Sequence, residues 1–498
     1  MPATQHTSIY FSDVFAVAPE ALEEYGAFDV SLINDLPLFI DPFLLFNSDK
    51  QEYRALHEQI IRYVRFLRDK AVAGAVTPGL MKAWFMFPEV RQTWLGYSLV
   101  GNGGSGLGAD FARATYTNLG EVFANFGEEQ VTKGSHIEKL CLFADGVGKD
   151  NISDFTTNLI TGFLAEYTQA FAREHLSPEQ RRVVPVEKAL FNYETESWQT
   201  VRYELPFHDG DYVLITPVDM LTKDDIWINR ADLVRGYHHI VSSIPDDQLR
   251  EQINNYFEKI LPEDYNKADE DRAAARAVLH FPQLIEHYIR WKEDHGDEAE
   301  ALSEEKVRAS KRVYIDQVKE LIGILASATG FYETPGATLA ETRARVAYLK
   351  DVIENKDGYR LFFDADGKPI RRESDLQIIF RFTWFNTQLD VNREVNNGRG
   401  PVDYTVSRGK RGKTLVEFKL ASNTSLRKNL KAQAEIYQKA GDAEHAIKVI
   451  LYFTAEERAK VDEILEDLRL TGNPNVVLID ARADNKPSAS KAKSAHLE

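Results

Sequence analysis

Cysteine is almost missing from this chain: one thiol, Cys141, in 498 residues. One cysteine cannot close an internal disulfide, and no zinc site can be built from a set of thiolates. A reducing cytoplasm fits that usage. Long apolar runs are missing too. No stretch approaches the ~20 residues that span a bilayer, so no membrane partner is expected. The first residues, MPATQHTSIYFSDVF, have no basic segment ahead of an apolar one and do not read as a secretory leader. Positive charge is in deficit: 60 Lys and Arg stand against 77 Asp and Glu, for a net charge of −17. Such a field repels nucleic acid at long range and argues against a simple DNA-coating protein. Repeats at solenoid or propeller periods are absent. So are GxSxG and HExxH, and no methyltransferase or helicase motif is visible.

What is present suits a globular chain of about two to four domains. Residues 1–245 read as a mixed α/β region for recognition or regulation. A helix is expected over 51–70, where Ile60, Ile61, Val64 and Leu67 form one stripe. Another is expected over 153–175. Strands are expected over 198–205 and 211–216, with His208-Asp209-Gly210 turning between them. Residues 246–335 read as a charged helical connector, solvated or holding a protein partner or second copy. Residues 336–480 read as a separate α/β domain, and 481–498 as a small, polar, disordered tail.

Within that third region a helix is expected over 338–354, then a hairpin built from YRLFF, DADG and KPI. A second helix follows at 375–387. Strands are expected at 389–396, 401–408, 413–421, 446–453 and 475–480, with helices at 424–440 and 455–469. Helices between strands imply a mixed sheet covered on both faces. The expected fold class is therefore α/β.

Chemistry concentrates in two strands of this region. In TLVEFKLA (414–421), alternation sends Val416, Phe418 and Leu420 to one face and Leu415, Glu417, Lys419 and Ala421 to the other. In GPVDYTVS (400–407), Asp403, Thr405 and Ser407 share a face. The short link SRGKRGK suits a hairpin that brings Asp403 beside Glu417. Two adjacent carboxylates repel unless a cation neutralises them, and hard oxygen ligands suit Mg²⁺ or Mn²⁺. Lys419 would then stand beside the ion, able to orient a water or steady a phosphate. From Arg399 to Lys431 there are nine Lys or Arg and two acids, a local excess of +7 in an acidic protein. That stretch is where a polyanion would sit.

Asp403, followed fourteen residues later by Glu417-Phe418-Lys419, resembles the signature of the PD-(D/E)XK nuclease superfamily. Pro401-Val402-Asp403 is a loosened first element. The expected αβββαβ order is similar to that superfamily's restriction-endonuclease-like core. Gln433 and Tyr437 fall on the same helical stripe as Leu426 and Leu430, which resembles the QxxxY motif of RecB-like members. The resemblance covers about 371–480, under a quarter of the chain.

The resemblance implies a Mg²⁺- or Mn²⁺-dependent nuclease acting on DNA. Asp403, Glu417 and the Phe418 carbonyl would be metal ligands. Lys419 would handle the attacking water, and Gln433 and Tyr437 would support the site. It also implies an acid on the first core helix. Glu373 is the candidate, although Ser374 to Gln377 reads as a capping box that starts the helix just after it. Glu394 is the rival. Arg399, Arg408, Lys410, Arg411, Lys413, Arg427, Lys428 and Lys431 are expected to meet phosphates, contacts that carry no sequence information. Nucleases of this build resemble those of restriction and antiphage defence systems. The alternative is a catalytically silent module that docks nucleic acid or protein, with the N-terminal region sensing a ligand or partner.

Two upstream features are weaker. Gly101-Asn-Gly103-Gly-Ser-Gly106 formally matches GxGxxG but lacks the Lys-Ser/Thr of a Walker loop and the acid of a dinucleotide fold. It reads as a flexible glycine loop. His136, Glu138, Asp145, Asp150 and Asp154 read as helix caps and polar surface, with a second metal or ligand site as the alternative.

Overall fold

The computed structural model describes residues 9–96, 107–123, 126–143, 147–223, 225–262, 264–320, 338–355, 358–363, 368–369, 380, 384, 390–396, 401–408, 411–437 and 445–485. Two compact units divide it at Arg308/Ala309.

In the first unit, after several shorter elements, comes a long helix, α1 (Gln51–Val72), whose Leu56, Ile60, Tyr63, Val64 and Leu67 form the buried stripe that the 3.6-residue period foretells. Helix α2 (Ala109–Val122) follows. The single helix expected over 153–175 is two, α3 (Lys149–Leu159) and α4 (Thr161–His175). The break falls at Ile160, whose backbone is not helical (φ −107°, ψ 12°). Strands β1 (Arg181–Asn192) and β2 (Ser197–His208) form an antiparallel hairpin. At the next corner Asp209 and Gly210 both have positive φ, 47° and 88°, the geometry of a two-residue hairpin turn. The returning strand β3 is only Asp211–Tyr212, shorter than the expected 211–216.

Helices α5 (Asp247–Ile260), α6 (Lys267–His280), α7 (Gln283–Asp294) and α8 (Gly296–Lys311) occupy the expected connector. They are not a solvated linker, because all but the end of α8 cluster with the first unit. On α7, Leu284, Ile285, Tyr288 and Ile289 are buried among the charges. The Tyr288 hydroxyl donates to the Asn229 carbonyl and accepts from its N–H, both at 3.0 Å. Lys292 reaches Asp232 at 2.6 Å. The high charge of this stretch hid a narrow apolar stripe. Residues 321–337 lie outside the described residues.

The second unit holds a five-stranded mixed sheet. Its elements are α9 (Thr338–Asn355), β4 (Asp390–Asn396), β5 (Pro401–Arg408), β6 (Arg411–Leu420), α10 (Leu426–Tyr437), β7 (His445–Tyr452), α11 (Ala455–Asp467) and β8 (Val476–Asp480). Spatial order is β8-β7-β6-β5-β4. The pairs β4–β5 and β5–β6 are antiparallel, and β6–β7 and β7–β8 are parallel. The mixed α/β class is as expected, and strands and helices lie within a few residues of their anticipated bounds.

Both sheet faces are covered. Leu426 and Leu430 of α10 and Val461, Ile464 and Leu465 of α11 pack with Ala421, Ile450 and Tyr452. On the opposite face Phe418 meets Phe380 at 4.2 Å between ring centroids, and Phe380 meets Trp384 at 5.8 Å. Arg345 of α9 lies over that tryptophan at 4.8 Å.

Three expectations in this unit change or fall outside the structure. YRLFF is a 3₁₀ turn (Gly358–Phe362), not a strand, although Phe363 still bridges Pro369. The helix at 375–387 lies outside the described residues apart from Phe380 and Trp384, as do 364–367 and 486–498. The start of the expected tail is ordered: Ala481 is buried and its N–H donates to the Tyr452 carbonyl at 3.0 Å.

Candidate active site

The sheet register aligns the charged residues. Between β5 and β6, Tyr404 pairs with Val416 and Thr405 with Leu415. One step further along the same register, Asp403 comes opposite Glu417. Between β4 and β5, Arg393 pairs with Tyr404 and Val395 with Val402, so Glu394 falls opposite Asp403. Between β6 and β7, Glu417 pairs with Lys448. Four adjacent strands thus carry Glu394, Asp403, Glu417 and Lys448 at matching positions. Paired positions of this kind put Glu417 and Lys448 on one face of the sheet.

Glu417 is the best-defined member of this row. It is 5% exposed. Its Oε1 lies 3.2 Å from the Lys419 Nζ, and among the described residues its Oε2 accepts no hydrogen bond. A buried carboxylate oxygen without a donor is costly unless something positive meets it. Leu415 and Ala421, on the same face, are buried as well. Glu417 is therefore not part of a solvent-facing ion pair on an edge strand.

Lys448 was not anticipated. It is 7% exposed, and its Nζ donates to the Leu430 carbonyl on α10 at 3.3 Å. Burial pushes its ammonium down to about 8, and Glu417 partly opposes that shift. The signal was visible in the strand itself. HAIKVILY carries one lysine among apolar residues, and a lysine buried in a sheet needs a partner.

Helix α10 supplies the roof of this face. Leu426 and Leu430 are buried in the core cluster. Gln433 and Tyr437 continue their i, i+4, i+7, i+11 progression and so share that helical stripe. Of the expected phosphate contacts, Arg427 pairs with Asp467 of α11, while Lys428 and Lys431 are exposed. Arg408 and Arg411 oppose each other in the ladder, and Lys413 lies two residues further along β6. Glu373, Arg399 and Lys410 lie outside the described residues.

The fit to a divalent ion rests on the orphaned Glu417 oxygen and the matching position of Asp403. Among the described residues no three His, Cys, Asp or Glu side chains gather to hold a metal. Mg²⁺ does not require three, since it commonly uses one or two carboxylates and keeps several waters. No helix among the described residues is long and apolar enough to cross a membrane.

The buried polar groups of the first unit also correct the sequence reading. His136 and Glu138 are not capping or surface residues, because both are fully buried. The His136 Nε2 bonds Glu293 at 3.0 Å, and its Nδ1 is 3.9 Å from Glu138. Asp145 lies outside the described residues, as do Gly101 to Gly106.

Comparison with known proteins gives two partial matches. Residues 16–229 match a family model described as "Domain of unknown function (DUF8370)". Residues 338–455 match another, "Domain of unknown function (DUF8371)", which begins with α9 and takes in the whole row of charged residues. No curated protein and no solved structure matches the chain.

Proposed function

We propose that the second unit is a Mg²⁺-dependent phosphodiesterase of PD-(D/E)XK type that cleaves nucleic acid, with DNA as its substrate. The observation that carries this reading is the Glu417 carboxylate: buried, with one oxygen orphaned among the described residues, 3.2 Å from Lys419 and opposite Asp403 when the β5–β6 register is continued. The strand order supports it. Two antiparallel hairpin steps, a helix and a parallel strand make a βββαβ run in one mixed sheet, as the superfamily resemblance requires.

Asp403, Glu417 and the Phe418 carbonyl would hold Mg²⁺ or Mn²⁺. When bound, the ion supplies a Lewis acid for the scissile phosphate and its attacking water. Lys419 orients that water and offers an ammonium to the pentavalent phosphate. Gln433 and Tyr437 close the α10 side. Glu394, which shares the row, takes the part of the third acid in this reading. Lys448 balances the carboxylates from the far strand. Exposed Lys428 and Lys431 receive the phosphate backbone. The first unit then recognises a partner, effector or substrate, and a role in restriction or antiphage defence fits such a division.

The test is plasmid cleavage by the full chain in Mg²⁺, wild type against Lys419→Ala. Loss of a positioned general acid–base group should lower the rate by about 10²–10⁴-fold. Equal cleavage by both proteins, or none by the wild type with either metal, would favour a silent docking module instead.

A further inference from the structure

The first unit contains a cleft of about 700 Å³ between α1 and the β1–β2 hairpin. Its floor is a locked aromatic cluster. Ring centroids of Tyr63 and Phe191 are 4.8 Å apart, those of Tyr63 and Trp198 5.1 Å, and those of Phe191 and Trp198 5.2 Å. The Tyr63 hydroxyl donates to the Trp84 carbonyl at 2.8 Å and accepts from the Trp198 Nε1 at 3.1 Å. The polar tips are thus engaged inside the protein. Trp198 and Tyr193 are half-buried and leave ring surface to the cleft.

Two arginines enter from α1. The Arg62 guanidinium lies 3.9 Å from the Tyr193 ring centroid. Arg65 packs over Gly127, where an added Cβ would come within 1.9 Å of its Nη2. That glycine, at φ +90°, leaves the room that holds Arg65 in place. Among the described residues the buried Arg65 Nε has no hydrogen-bond partner. Neither arginine has a carboxylate partner among the described residues, in a chain with 77 acids. Glu58, one turn before Arg62, is the acid lining the cleft, and it too is unpaired among the described residues.

The opposite rim is irregular. The β1–β2 register shifts between Val186 and Leu190, and Lys188 in that bulge has φ +51°. Leu190 is 50% exposed at the rim. Bulges of this kind re-aim side chains beside functional sites.

Each feature names part of a ligand. Half-buried aromatic faces accept a planar ring by stacking. Arginine forks without carboxylates match phosphate oxygens. The volume lies within the ~300–1,000 Å³ usual for small-molecule sites. We infer that this cleft binds a nucleotide, its base against Trp198 and Tyr193 and its phosphate between Arg62 and Arg65. The site is independent of the proposed nuclease centre. The nucleotide can be free or the phosphorylated end of a strand, since both present the same chemistry.

Isothermal titration of the full chain in EDTA tests this. The probes are AMP, GMP, CMP, UMP and a 5′-phosphorylated oligothymidylate. At least one should bind saturably with a Kd below about 100 µM. Arg62→Glu should weaken that probe about tenfold or more, with an unchanged far-UV spectrum. Glu58→Gln should tighten it by about two- to threefold by removing a nearby like charge. Binding by mononucleotides alone identifies a free ligand, and binding by the oligonucleotide alone identifies a strand end. No saturation of any probe at about 1 mM, or an affinity unchanged in Arg62→Glu, would overturn the inference.

Discussion

Each unit buries a carboxylate, and the two are served in opposite ways. Glu138, in the first unit, is 0% exposed, and among the described residues neither of its oxygens has a hydrogen-bond partner. Burial, reinforced by Asp41, pushes its carboxyl up to about 8. The neighbouring His57 is pushed down to about 3, chiefly by burial. That pocket removes charge by holding Glu138 protonated and His57 neutral. Glu417 has Lys419 at 3.2 Å and Lys448 opposite it in the ladder. The second unit places cations beside its acid instead. A buried acid with no cation beside it is held neutral, whereas one flanked by ammonium groups is built around charge. The contrast favours the second unit over the His136–Glu138 group as the place of the proposed nuclease centre.

The largest effect expected from breaking this contrast is at Glu138. Its folded pKa of about 8 exceeds the ordinary 4.5, so folding takes up a proton between those values. The stability it contributes is full below pH 4.5 and is lost as pH rises toward 8. Glu138→Gln should therefore be more stable than wild type by about 2 kcal/mol at pH 8 and nearly equal at pH 5. Urea melts at the two pH values measure it, and a parallel loss at both would contradict the protonated state.

A smaller effect of the same kind is expected at Lys448. Its folded pKa, about 8, lies below the ordinary 10.5. The penalty is complete below pH 8 and gone above 10.5. Lys448→Met should gain about 1 kcal/mol at pH 7, with the gain fading by pH 10.5, while cleavage falls. Thermal melts paired with the plasmid assay separate the two roles. A stable and fully active Lys448→Met would remove this lysine from the site.

The smallest effect belongs to the surface. Replacing exposed Lys428 and Lys431 with alanine should lower the slope of log K against log salt for duplex DNA by roughly 2. Arg427 is committed to Asp467 and should matter less. Binding titrations across a salt series would show it.

Strand and helix positions in the second unit were legible because its segments alternate or repeat cleanly between turn residues. The Glu417-Phe418-Lys419 strand and its pairing toward Asp403 were legible for the same reason: period two fixes faces, and a short link fixes a hairpin. Lys448 was missed because register between parallel strands is set by tertiary packing, not by a local turn. Burial of His136 and Glu138 was missed because capping and core acids look alike until α7 brings Glu293 to the histidine. The connector misled for a related reason. Its charges outnumber the few residues, such as Tyr288 and Ile289, that face the core.

Titration of Mn²⁺ into the full chain, followed by electron paramagnetic resonance of the free ion, probes the acidic pair itself. Wild type should bind the ion, and Asp403→Asn or Glu417→Gln should lose affinity by about tenfold or more while folding normally. Unaltered Mn²⁺ affinity in both variants would contradict a divalent-ion site at these two carboxylates.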